Sequence, residues 1–520
     1  MKLTAPRRGI PAVLAAVLGT VIWAVPITDG AGASTTAGTL SAEGGDAMTP
    51  VIDTLLQDDT AGLQPDIGSY TNVDLDQGIA DFVGTAPGTF ATDFAVSERP
   101  LTSAEAATAA QNGRSFAYVP FAATPVALVT LVPNQTYQGT SVITSSQFCQ
   151  HIPLDLSQLD GLFGAVTPPY LNWADSRINC TTNPSTQGQA EPISRWGNLD
   201  PTMENYALMS LLDSTPTSQA AFAAGLTAAQ QGGQSSTSDP TPSEGWPYDE
   251  TAVPGGDQFV LGKMLALDPR TAAPSNDAAS IALGAILPVS NTWTGSPLGV
   301  TWDLPTAAVQ NAAGEYVAPS AASAEAAEGD ATFTTTSDPT TSNMVTFNPS
   351  STDTAAYNNY LMLQSYLVVP TNGLSADKAQ ALAQFIRFAV GAKGQAVIAG
   401  LGAAPATTAM VTADLAVAQE LDAEAASAPS TTTSSSSTTT TTSATSTSTT
   451  VPGGSASGSA GNSGSSAGSS IVSDPSTSGG DGALAVTGGN PLPLAGLGLA
   501  FLGCGELGRQ FLRRRRKART

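Results

Sequence analysis

From Leu40 onward, short apolar runs are separated by turns marked with Gly, Ser and Pro, and their spacing predicts alternating strands and helices. Residues 40–42 read as a strand entering a Gly44-Gly45 turn and then a helix over 51–57, with Asp46 or Thr49 as its cap. A second turn, Ile67-Gly68-Ser69-Tyr70, leads to a helix over about 76–83. The apolar run before Ser97 and Glu98 ends where Pro100 closes it, as a binding loop at a strand end would. Residues 116–132 are nearly continuously apolar, which suits a buried strand crossing between two lobes. Helices are expected at 156–164 and 207–213, and 278–289 fits either a helix or a strand. Residues 232–250 and 320–349 read as polar or low-complexity stretches, and 357–369 is a second apolar run that returns the chain to the first lobe. The clearest helix follows Ser375: Leu382, Phe385, Ile386, Ala389 and Val390 line one face, and Gly391 stops it.

Both ends differ from this pattern. Residues 1–33 carry Lys2, Arg7 and Arg8 ahead of a short apolar run and a small-residue cleavage pattern, and read as a signal peptide. Residues 429–483 are almost wholly Ser, Thr, Gly, Ala and Pro, a linker that cannot bury a core. Residues 484–520 hold Leu484-Ala485-Val486-Thr487-Gly488, a short apolar segment and a basic cluster, which is either a sortase-type sorting signal cut between Thr487 and Gly488 or a transmembrane anchor. Residues 34–428 remain as the folded part.

Charge and cysteine usage narrow the function. The chain carries a net −23, and removing the leader and everything after Thr487 leaves nine basic and forty acidic groups, a net −31. Nucleic acid is excluded as a partner, because affinity for it comes from clustered Lys and Arg. Cys149 and Cys180 are the two cysteines left in the exported part and are expected to form a disulfide. One His151 beside Cys149 makes no metal site, and no cofactor is expected. There is no Ser–His pairing for catalysis.

The run Asp93-Phe94-Ala95-Val96-Ser97-Glu98-Arg99-Pro100-Leu101 resembles the Asp-Phe-Gly-Ala-Ser-Asp-Ala-Pro-Leu segment of phosphate-binding subunits of ABC importers. The spacing of residues 156–164 to Trp173 and Asp175, and Gly394-Gln395 to Gly402, are similar to that family too. The resemblance implies a two-lobe class II periplasmic-binding-protein fold of the α/β class, with lobe 1 at about 38–119 and 360–425 and lobe 2 at about 120–359. It implies that phosphate or a related oxyanion is bound without turnover and delivered to an ABC permease, with Thr49, Ser97, Glu98, Arg195 and Thr202 as contacts. Sortase and a cell-wall peptide would be further partners of a surface-held protein. Acidic residues stand where the family has Gly-Ser cradles: Asp74 and Asp76 in one place, Glu204 in another. The alternative is therefore a wall-anchored surface protein that uses the scaffold for adhesion, sensing or wall architecture with an altered or empty cleft.

Overall fold

A computed structural model describes residues 40–57, 67–133, 148–164, 192–231, 281–295, 304–338 and 340–427, together with 170, 172–175, 177–178, 235, 237, 239–248, 252–254 and 256–265. The chain divides into two units, residues 1–433 and 434–520, and the described residues all belong to the first. The leader, Cys180, the 429–483 linker, and the 484–520 segment with Thr487 and Gly488 lie outside the described residues.

The chain opens with β1 (Leu40–Gly44), α1 (Thr49–Gln57), β2 (Ile67–Asn72), α2 (Leu75–Val83), β3 (Phe94–Ser97), α3 (Ser103–Gln111) and β4 (Phe116–Thr130). Next come β5 (Pro153–Leu154), α4 (Leu156–Phe163), β6 (Ser194–Arg195), β7 (Gly197–Asn198), α5 (Met203–Leu212), α6 (Pro216–Gln231), β8 (Ala252–Val253) and α7 (Asp257–Met264). After β9 (Ala285–Ser290) and α8 (Thr292–Gly295) follow β10 (Ala308–Gln310), β11 (Tyr316–Val317), α9 (Ala321–Gly329) and the β12 (Thr332–Thr334) and β13 (Met344–Thr346) pair. The last elements are β14 (Met362–Pro370), α10 (Ala376–Ala389), α11 (Ala392–Gly400), β15 (Ala404–Pro405) and α12 (Thr408–Ser427).

The main sheet runs β2-β1-β3-β14-β4-β9-β6, with β15 also on β4. Strand β4 holds it together. All fifteen of its residues are buried, which requires cover on both faces and explains its unbroken apolar sequence. Residues 116–125 of β4 pair antiparallel with β14, and residues 126–130 pair antiparallel with β9. One strand thus serves both halves of the sheet, as its sequence predicts. The ladder with β14 slips between Ser365 and Tyr366, beside the partner residue Pro120, where the missing N–H already interrupts hydrogen bonding.

Each half has its own core. Leu40, Phe94, Val119 and Leu367 from the sheet pack with Ile52 of α1, Phe385 of α10 and Leu421 of α12. Val126 and Leu128 from the other end of β4 pack with Leu159 of α4, Leu208 of α5, Phe222 of α6 and Trp173. Trp173 is fully buried and donates to the Gly284 carbonyl at 2.7 Å, the core role its spacing suggests. Ser375 caps α10 by accepting the Lys378 N–H, and Leu382, Phe385, Ile386 and Ala389 form its buried face as expected.

Several expectations need correction. Residues 67–72 form strand β2, parallel to β1, where a turn is expected; pairing supplies what local sequence does not. Residues 320–349 contain α9 and the β12–β13 pair, because Ser320 and Ser323 close a reciprocal cap over an Ala-rich segment of high helix propensity. Residues 285–290 are strand, which resolves the helix-or-strand choice. Helix α5 begins at Met203, four residues early, because Thr202 caps it. Neither Asp46 nor Thr49 caps α1, since the side chain of Asp46 is directed across to another helix.

Candidate functional site

Strands β1, β2 and β3 are parallel neighbours, so their C-terminal ends open on one edge, the usual place for a ligand in an open α/β sheet. A cavity of about 360 Å³ lies there. From the first half it is lined by residues 45–47 after β1, residues 72–75 between β2 and α2, and Glu98 after β3. From the second half come Asn198, residues 200–204 at the start of α5, and Gly256, Gln258 and Phe259 at the start of α7. Three helices, α2, α5 and α7, begin at this cavity.

Each of these three starts already carries an acceptor from the protein, whereas the short helical turn Asp46–Met48, which leads into α1 at the same cavity, has no side-chain cap. Asp74 accepts the Asp76 N–H at 2.9 Å on α2, and Thr202 accepts the Asn205 N–H at 3.3 Å on α5. On α7 the acceptor comes from across the cavity. Asp46 Oδ2 accepts the Asp257 N–H, while its Oδ1 accepts Asn72 Nδ2 at 2.6 Å. The same turn is tied down further: Ser290 and Thr292 hydroxyls donate to the Ala47 carbonyl at 2.9 and 2.6 Å, and Trp293 Nε1 donates to the Asp46 carbonyl at 3.0 Å. Gly256 makes the approach of Asp46 to α7 feasible. Its φ is +83°, and a Cβ there would collide with the Asp46 carboxylate.

The cavity is strongly acidic. Asp46, Asp74, Glu98, Asp200 and Glu204 line it, and among the described residues no Lys, Arg or His does. Burial raises the Glu98 carboxyl well above its ordinary range, and nearby Glu204 and Asp46 raise it further. Burial likewise pushes Glu204 up to about 7 and Asp46 up to about 6, with Asp46 adding to Glu204 and hydrogen bonds from α7 and Asn72 restraining Asp46. Asp257, just behind Asp46, is raised by burial and then by Glu204, Asp46 and Glu98. Glu98 is 5% and Glu204 3% exposed, yet one oxygen of each lacks a hydrogen-bond partner, as does Asn198 Nδ2. Such groups cost free energy unless a partner arrives. Among the described residues no group of three or more acidic or other ligating side chains is placed to hold a metal ion.

Two of the five contacts expected from sequence, Glu98 and Thr202, line the cavity. The other three lie elsewhere. The Ser97 hydroxyl is fully buried in a local turn, donating to the Arg99 carbonyl at 2.6 Å. Thr49 is buried beside the Tyr70 hydroxyl. Arg195 sits on β6 with its guanidinium 4.7 Å from the ring centre of Tyr248. Arg99 is the cation nearest Glu98 in sequence, and it turns to Asp76, Glu105 and Glu244 at 2.7, 2.9 and 3.0 Å. The functional residues missed from sequence are Asp46, Asn198 and the α7 start. Only the Gly255-Gly256-Asp257 step before an apolar helix hinted at the last.

Residues 29–238 match the family model of the PBP superfamily domain, and the α/β fold is of that type. No curated protein matches the chain. Solved structures similar to it include a high-affinity periplasmic phosphate-binding protein, PfluDING, bound with phosphate, at 18% identity over 73% of this chain and 93% of that one, TM-score 0.47. A human phosphate-binding apolipoprotein is 17% identical over 72% and 93%, TM-score 0.48. A phosphate-binding protein from Stenotrophomonas maltophilia is 14% identical over 73% and 94%, TM-score 0.48. No ligand is carried over from them.

Proposed function

We propose that this protein is an exported, surface-held solute-binding protein that takes one small solute into the cavity at the ends of β1, β2 and β3 and releases it unchanged. The observation that carries this reading is that Glu98, Glu204 and Asn198, each with a buried polar atom lacking a partner, all line one cavity shared by both halves of the sheet. The cavity is at the small end of ligand pockets. The solute named by the sequence resemblance is phosphate or a related oxyanion, delivered to an ABC permease, and Glu98 and Thr202 at the cavity support it. Calorimetric titration with phosphate, sulfate and a panel of small solutes tests the reading: one solute should bind with micromolar or tighter affinity. Arg195→Ala should leave that affinity unchanged, since its guanidinium is engaged with Tyr248.

A second reading is favoured by one contact. Asp46 holds the α7 start with a carboxylate of the protein itself, which fits a surface protein whose cleft is altered and whose scaffold serves adhesion, sensing or wall architecture. Saturation of the panel without heat, alongside intact wall attachment, would select this reading over the first.

A further inference from the structure

We propose that the solute of this cleft is a small organic cation, an amine or quaternary ammonium compound whose charge is held by Glu98 and Glu204. The inference rests on the solute-binding reading above and departs from the oxyanion that the sequence resemblance names. The first ground is what the helix starts offer. An anion in such a cleft is held mainly by helix-start N–H groups, but here Asp74, Thr202 and Asp46 already accept from α2, α5 and α7, and the one uncapped start, at Gly45, has the Glu98 carboxyl set against it. An oxyanion would have to displace carboxylates or a hydroxyl of the protein to reach those donors.

The second ground is what the cavity leaves open. Glu98 and Glu204 each present a buried oxygen with no partner, and both residues line the cavity. Once ionised, an oxygen of that kind takes a donor, and a positively charged N–H donor gives the stronger bond. A quaternary ammonium would balance the same charge but, having no N–H, would leave the hydrogen bond unmade, so a primary amine such as putrescine should bind more tightly than choline. Met203 and Phe259 line the cavity beside these acids and give apolar surface for the carbon skeleton. Asn198 Nδ2, the remaining unpartnered group, is a donor for an oxygen on the same solute. Arg99 is bonded to Asp76, Glu105 and Glu244, and its charge only partly offsets what burial, Glu204 and Asp46 do to Glu98.

The third ground is protonation. Burial, with repulsion from Glu204 and Asp46, raises the Glu98 and Asp257 carboxyls well above the ordinary range, and burial raises Glu204 to about 7, so protons are held there near neutral pH. A bound cation favours the charged carboxylates and expels protons; a bound oxyanion favours the neutral carboxyls and draws protons in.

The sign of proton exchange therefore reads out the charge class. The full-length protein is titrated calorimetrically at pH 7 with choline, putrescine, phosphate and glucose, each in two buffers of different ionisation heat. The expected result is that choline or putrescine binds with net proton release, that phosphate binds at least about tenfold more weakly, and that Glu98→Gln and Glu204→Gln each weaken the cation about tenfold or more. If a variant fails to fold, proton release by the unmutated protein decides. Phosphate binding with proton uptake, and no cation binding, overturns the cation while leaving the solute-binding reading intact. Glucose binding alone overturns it as well. If none of the four binds, the cation proposal fails, and the wider solute panel decides the solute-binding reading.

Discussion

Arg99 and Glu244 form an ion pair at 3.0 Å that joins the end of β3 to a loop 145 residues further along. The pair does more than bridge. The Glu244 carbonyl accepts the Thr202 N–H and Asn205 Nδ2, both at 2.9 Å, so Arg99 steadies the start of α5 that lines the cavity. The Arg99 side chain is 14% and that of Glu244 20% exposed, enough burial for the contact to count.

The first prediction concerns that pair. Arg99→Ala should lower unfolding free energy by about 2 kcal/mol, since it removes charge-assisted bonds and leaves Asp76, Glu105 and Glu244 facing one another. Arg99→Lys should recover less than half, because one ammonium cannot span three carboxylates as the planar guanidinium does. Urea unfolding of the three proteins checks this, and equal stability would show the network to be ornamental.

Stability should also fall as pH rises. Asp46 is raised from 3.8 to about 6, Glu204 from 4.5 to about 7 and Glu328 from 4.5 to about 8, each chiefly by burial. For each group the folded state holds a proton that the unfolded chain has lost, so the stability gained is full below the unfolded value and disappears as pH climbs through the folded one. The empty protein is thus expected to be more stable at pH 5 than at pH 8, with the loss spread between about pH 4 and 8. Glu204→Gln should flatten the middle of that slope. A rise in unfolding midpoint from pH 5 to pH 8 would contradict the assignment.

The fold is more legible in the sequence than the site, for a physical reason. Strand β4 and helix α10 declare themselves by unbroken apolar sequence and by a capped 3.6-residue period, both local signals. Strand β2 is missed because Ile67-Gly68-Ser69-Tyr70 has turn chemistry and becomes a strand only by pairing with β1. Helix α6 and helix α12, both Ala-rich and weakly amphipathic, leave no period to read. The site depends on contacts no window can hold: Asp46 meets the Asp257 N–H 211 residues away. Glu98 and Thr202 are found because they stand at a strand end and a helix start, positions with local signatures. Ser97 and Arg195 occupy suggestive sequence positions, but a local turn and an aromatic ring use their polar groups.

Cys149 is fully buried, and its backbone N–H is bonded to the Val132 carbonyl at 2.9 Å. Pairing with Cys180, proposed from the sequence, should be seen as one linked peptide in a non-reduced digest of protein taken from the cell surface. Two alkylatable thiols in that protein would refute it. Reduction should cost about 3–4 kcal/mol of stability on loop-closure grounds.

Attachment is tested separately from the fold. If residues 484–488 are a sorting signal, Thr487→Ala should shift the protein from a muramidase-released wall fraction to membrane or medium, because the attacked carbonyl then lies in an unrecognised sequence. Unchanged wall linkage would mean another anchor. Among the described residues no helix is long and apolar enough to cross a membrane.

The last prediction separates the contact between Asp46 and α7 from general stability. Gly256 has φ +83°, and an added Cβ would collide with Asp46 Oδ2, so Gly256→Ala carries both backbone strain and displacement of the carboxylate. Asp46→Asn keeps the shape and removes the negative charge from the α7 start, but its single oxygen can accept from only one of the Asp257 N–H and Asn72 Nδ2. Gly256→Ala is expected to lower stability by about 2 kcal/mol at pH 7. Asp46→Asn should cost about 1 kcal/mol there, because the loss of one acceptor is partly offset by removing a buried charge that repels Glu204 and Asp257. The pH dependence should diverge too: with Asp46→Asn the fall in stability between pH 5 and 8 becomes shallower, and with Gly256→Ala it persists. Unfolding midpoints across that range measure both. Equal losses and parallel profiles in the two variants would mean that the Asp46 charge is not what joins the β1 turn to α7.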